Sequence, residues 1–199
     1  AVRKGEVSSI EDLRDSIIAV NTFNNIEALM LEKYLLTHGL KAGRDYELIQ
    51  QAFPRMLSLL EADQIDAACL VEPFIAIAQH EGQDFEIFSN QYLSTTERTL
   101  VATYVTKEST LNRQKPEILA FRAAMTDAVK FIQENESRSR EFVSLYTKIP
   151  DELVMKIGLP EFSDRINVPA LDSIIADMAT LQYLGSIPPP SAETMVWND

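Results

Sequence analysis

The sequence is short of the residues on which most site chemistry depends. Cys69 is its single cysteine, so no internal disulfide, no cysteine-rich zinc site and no CxxC redox pair can form. Set within "DAACLVEP", it reads as a small core residue rather than a nucleophile. Histidine occurs twice, as His38 and His80, each near an expected helix C-terminus, where the helix dipole gives it a structural use. The 6 glycines leave no glycine-rich phosphate cradle after a strand, and GxSxG, HExxH and P-loop motifs are missing. Basic residues are also few: 18 Lys and Arg stand against 30 Asp and Glu, a net charge of −12. That balance argues against nucleic acid and anionic membrane surfaces as partners. No stretch reaches the roughly 20 apolar residues of a membrane span, and no secretory signal opens the chain. We therefore expect no catalytic residues, no metal and no cofactor.

What is present is an ordinary globular composition, 46% hydrophobic and 24% charged over 199 residues, enough for one large domain or two small lobes. Residues 1–9 read as a polar lead-in. "SIEDLRDS" follows as a short helix capped by Ser9, with Asp12 at its third position. "SIIAV" is a buried strand of the parallel kind. A helix from about Asn25 to His38 carries Ile26, Met30 and Tyr34 on one face and ends at Gly39. "DYELIQQ", the helix "PRMLSLLEADQ", the strand "IDAACLV", the helix "EPFIAIAQHEG" and a further strand, "FEIFSN", complete a βαβ pattern.

From Arg98 the rhythm changes. "RTLVATYVT" alternates as a strand would, and "KPEILAFRAAMTDAVKFIQEN" is a long amphipathic helix opening at Pro116. Its buried stripe is Ile118, Phe121, Met125, Val129 and Ile132. Residues 137–187 read as three more helices, and "IPPPSAE" as an extended tail.

The chemistry-bearing stretch is "VNTFNN", where a strand hands over to a helix. In open α/β sheets ligands bind beyond the carboxyl ends of strands, and a helix N-terminus there offers free N–H groups. Asn21, Thr22, Asn24 and Asn25 add donors and acceptors, and Phe23 adds a flat apolar face. The plain structural account is that Asn24 or Thr22 caps the helix and Phe23 tucks into the core; one cap, however, needs only one such residue. Two further strands end on the same edge and add Phe53, Arg55 and Glu72. Together these eight residues make a polar–aromatic binding site rather than a reaction centre.

This order of elements resembles the second lobe of periplasmic substrate-binding proteins that serve ABC importers of the nitrate, sulfonate, taurine and thiamine-precursor type. The resemblance rests on Asp12-Leu13, Ile17 to Val20, Asn21 to Asn25, Gly39-Leu40, Gln64-Ile65-Asp66-Ala67 and Glu72-Pro73, and on the helix opening at Pro116. It covers residues 8–135 well and the tail loosely. It implies a type II periplasmic-binding-protein-like α/β fold with solute clamped between two lobes. It also implies a membrane permease as partner, and a place in the periplasm or on the outer face of the membrane, the parent being secreted or lipid-anchored.

On this reading residues 8–97 are the parallel-sheet lobe and 98–199 a crossover strand with returning helices of the first lobe. The chain is then a fragment lacking that lobe's N-terminal part, and its uncovered apolar surface could support a dimer. Asn-Thr-Phe-Asn-Asn replaces the Gly-Ser-Ser-like loop of sulfonate binders, and Glu72 sits where an anion is unwelcome, so a neutral or amine-bearing ring fits at least as well. The expected function is non-catalytic binding of a small polar or aromatic solute (sulfonate, nitrate, taurine or pyrimidine-like). The alternative is the effector-sensing domain of a transcription regulator of the same architecture. The fungal pyrimidine synthases of this fold carry a cysteine-rich motif that one cysteine does not supply.

Overall fold

The computed structural model describes residues 1–80, 84–90, 99–147 and 149–197. A five-stranded mixed sheet has the order β3-β2-β4-β1-β5. Its strands are β1 (Val2–Arg3), β2 (Ile17–Val20), β3 (Glu47–Gln50), β4 (Ala67–Ala68) and β5 (Phe85–Glu86). β2 pairs in parallel with β3 and β4. β1 runs antiparallel between β4 and β5, with Val2 opposite both Ala67 and Glu86.

That placement corrects the reading of residues 1–9 as a lead-in. Only Ala1, Val2 and Val7 are apolar there, too few for any period, and β1 forms because two neighbouring strands present unpaired backbone groups to it. The "SIEDLRDS" expectation holds: Ile10–Leu13 is a 3₁₀ helix with Ser9 and Asp12 in a capping box.

β2 is buried on both faces, as its unbroken apolar run demands. Ile18 and Val20 pack with Ala28, Leu31 and Leu35 of helix α1 (Ile26–Thr37). Ala19 faces the other way, onto Met56 and Leu60 of helix α2 (Phe53–Glu61). Helix α3 (Phe74–His80) follows β4. The expected stop at Gly82 and the switch at Arg98 lie outside the described residues.

Residues 99–107, expected to continue an alternating strand, carry no helix or strand. Val101, Tyr104 and Val105 are exposed there. Alternation alone makes no strand without a neighbour to bond. Helices α4 (Glu108–Arg113), α5 (Lys115–Glu134), α6 (Glu136–Thr147), α7 (Asp151–Val154) and α8 (Val168–Thr180) follow, then a short α9 (Ala192–Met195) after the proline-rich stretch. The stripe on α5 is only partly covered: Val129 is buried, but Phe121 is 48% exposed.

The late helices are fastened to the sheet unit. Lys33 of α1 pairs with Asp177 of α8 at 2.7 Å, and the Tyr183 hydroxyl donates to Glu32 Oε1. Leu153 and Ile157 pack against Ala76 of α3.

Candidate functional site

The loops after β2, β3 and β4 lie on one sheet edge, because these parallel strands are adjacent and point the same way. The eight residues singled out from the sequence all fall in or just beyond these loops. Their side chains are nevertheless employed differently.

Asn25 is the cap of α1. Its Oδ1 accepts the Ala28 N–H at 2.9 Å, and its Nδ2 donates to Asn21 Oδ1 at 2.7 Å. Neither Asn24 nor Thr22 caps the helix. Asn24 instead has φ +57°, a left-handed conformation that asparagine tolerates, and it turns the chain from strand to helix. The side chain of Asn24 is exposed and makes no hydrogen bond to the described residues. Phe23 does not tuck into the core; it is 46% exposed. Gln50, at the end of β3, accepts from the Phe23 N–H at 3.4 Å and from the Thr22 hydroxyl at 3.5 Å, both long bonds.

Phe53 stacks on Phe74, with centroids 5.3 Å apart and planes 20° apart, so one ring face is taken. Arg55 is exposed and pairs with no acid among the described residues. Glu72 is a fastener: Oε2 accepts the Ala76 N–H at 3.1 Å and Oε1 accepts the Gly158 N–H at 2.9 Å. One carboxylate thereby ties the start of α3 to the chain after α7.

Two residues of this edge escape a reading by motif. Gln50 is one. The other is Glu27, in the first turn of α1, 2% exposed and with neither carboxyl oxygen in a hydrogen bond. Burial raises its pKa, against the weaker pull of the Cys69 thiol, the Asn21 backbone, the Asn25 side chain and the Ala1 terminus. The available signal was a lone acid inside the apolar run "IEALML".

No group of three or more His, Cys, Asp or Glu able to hold a metal ion occurs among the described residues. Nor is any of their helices long and apolar enough to cross a membrane. A small cavity of about 50 Å³ lies between α1 and the sheet, lined mainly by apolar groups such as Leu31, Leu35 and Phe88. The polar edge itself is built from the loops after β2, β3 and β4 and the N-terminus of α1.

The model of the NMT1-like family matches residues 4–145. The chain belongs to that family. No curated protein sequence matches this NMT1-like chain. Among solved structures it is similar to the periplasmic aliphatic sulphonate binding protein SsuA of Escherichia coli, with TM-score 0.74 and 14% identity. That likeness covers 99% of this chain and 64% of the other, so the NMT1-like chain spans under two thirds of that protein's length. It is also similar to the alkanesulfonate-binding protein SsuA of Xanthomonas axonopodis pv. citri bound to MOPS, with TM-score 0.69 and 14% identity over 98% of this chain and 68% of that one. The expected type II periplasmic-binding fold is thus the fold observed, with β1 as its antiparallel member.

Proposed function

We propose that this NMT1-like chain is part of the solute-binding component of an ABC import system, acting in the periplasm or on the outer face of the membrane. It binds and does not catalyse. The observation that carries this is the convergence of three strand-end loops on one edge, where α1 turns its N-terminus outward beside Thr22, Phe23 and Asn24. The family membership and the fold shared with SsuA proteins support the same reading. In this reading residues 8–97, together with β1 (Val2–Arg3), form the sheet lobe, and residues 98–199 contribute helices to a second lobe that closes over the solute. Phe23 offers a ring face, Asn24 and Thr22 offer polar groups, and Asn21 with Asn25 keeps the loop in shape. Phe53, Arg55 and Glu72 line the neighbouring loops.

The test is mass spectrometry of small molecules that co-purify with the full-length protein. A stoichiometric polar solute, lost when Phe23 and Asn24 are both replaced by Ala, is the expected result. Protein that is reproducibly empty, and that no candidate solute stabilises thermally, overturns the reading.

A further inference from the structure

Asp45, the other buried acid besides Glu27 among the described residues, and the half-buried Glu72 are both well provided for. The carboxylate of Asp45 takes N–H groups from Lys41, Arg44 and Arg14, and both oxygens of Glu72 accept backbone N–H groups. Glu27 breaks the pattern. It is 2% exposed, and both of its oxygens lack a hydrogen-bond partner. A carboxyl group left so costs the fold its desolvation with no return. Its surroundings offer little to offset that. The Cys69 thiol, the Asn21 backbone, the Asn25 side chain and, more weakly, the Ala1 ammonium, which donates to Ala68 O, are near enough to pull on its charge, yet burial prevails. Asn25 has its amide engaged with Asn21 and Ala28.

The position is what gives this group a use. Glu27 lies two residues beyond the helix cap, behind the 21–25 loop and beside Cys69, which follows β4. It is therefore at the meeting of two of the strand-end loops. The 21–25 loop in front of it is held at its base by Asn25, bonded to Asn21 at 2.7 Å and to the Ala28 N–H at 2.9 Å, but the ties of Thr22 and Phe23 to Gln50 are 3.5 Å and 3.4 Å long, so the middle of the loop shifts by breaking only those weak bonds.

We infer that Glu27 is a ligand anchor of this edge, its carboxylate accepting hydrogen bonds from an amidinium or ammonium group of the bound solute. The inference rests on the solute-binding reading and deepens it: the solute carries N–H donors on a cationic group and is not a simple sulfonate anion. A cation restores the solvation that burial removes and holds the carboxyl ionised, whereas an anion beside it meets like charge. An aromatic body on such a solute has the exposed face of Phe23 to lie against.

Two probes of one shape test this on the full-length protein: benzamidine, an amidinium, and benzenesulfonate. Calorimetry gives affinities, and thermal unfolding without ligand gives stability, for wild type, Glu27→Gln and Glu27→Asp. We expect wild type to bind benzamidine and not benzenesulfonate. Glu27→Gln should melt at a higher temperature than wild type when empty, yet bind benzamidine about ten- to hundredfold more weakly, as loss of a charge-assisted hydrogen bond requires. Glu27→Asp keeps the charge one methylene short and should also weaken binding while folding. Benzenesulfonate binding that is indifferent to Glu27→Gln overturns the inference and leaves the solute-binding reading intact. Variants that melt lower and bind benzamidine unchanged make Glu27 a structural residue and overturn it as well. Failure of both probes at millimolar concentration also overturns it, while the co-purified solute still judges the parent reading.

Discussion

Replacing Asn25 with Ala removes two hydrogen bonds with one change. The first is the cap of α1, from the Ala28 N–H to Asn25 Oδ1 at 2.9 Å. Caps of this kind contribute about 1 kcal/mol. The second is the bond from Asn25 Nδ2 to Asn21 Oδ1 at 2.7 Å, a half-buried neutral pair contributing about 1 kcal/mol more. The two share one side chain, so the loss is about 2 kcal/mol. In a chain of this size that lowers the melting temperature by about 4–8 °C. Differential scanning calorimetry on ligand-free protein measures it. The paired control is Asn24→Gly. Asn24 has φ +57° and an exposed side chain without hydrogen bonds to the described residues, so glycine should leave the melting temperature unchanged or slightly raised. If Asn25→Ala melts within about 1 °C of wild type, or Asn24→Gly falls as far as Asn25→Ala, the division of this loop into a structural half and a ligand-facing half is wrong.

Asp45 has its pKa lowered to about 2, by Arg44 first, then the Lys41 N–H, with burial opposing and Arg14 assisting. A folded pKa below the ordinary value of about 3.9 means a stabilisation present above that pH and lost as pH falls towards 2. Wild type should therefore lose melting temperature over this window more steeply than Asp45→Asn; parallel acid curves refute it. Tyr46→Phe removes a buried hydroxyl that has no partner, and the melting temperature should hold or rise. Glu72→Gln leaves one of two backbone N–H groups, that of Ala76 or Gly158, without its acceptor and should cost about 1 kcal/mol in denaturant unfolding without altering solute affinity. A selective loss of affinity would return Glu72 to the ligand. Finally, Phe121, Leu119, Tyr104 and Val105 leave an apolar face open on and beside α5. If copies of the chain associate through it, sedimentation of the 199-residue chain shows dimers that Phe121→Asp abolishes; monomers at all concentrations refute that role.

Several features were legible without any structure because their causes are local. Ser9 with Asp12 makes a capping box within four residues, and the apolar run of β2 announces burial on both faces. Pro116 opens α5, and the alternation of strand and helix from Ser16 to His80 fixes the α/β class. The same locality located the strand-to-helix loop, since Asn and Thr clustered after an apolar strand need no tertiary contact to be noticed. It could not assign their tasks. Which asparagine caps α1 depends on the turn at Asn24, and Phe23, in the same turn, is left 46% exposed. The strand β1 exists only because β4 and β5 flank it, at separations of more than sixty residues. Glu72 is occupied by Gly158, 86 residues away, and α8 reaches back to α1 through Lys33 and Asp177. Glu27 is the sharpest case. The sequence offers an acid in a first helical turn, where solvent exposure and the dipole make it ordinary. Only the fold, which brings Cys69 from beyond β4 and the Ala1 terminus alongside, removes it from water and leaves its oxygens without partners, because burial is set by what the rest of the chain brings near.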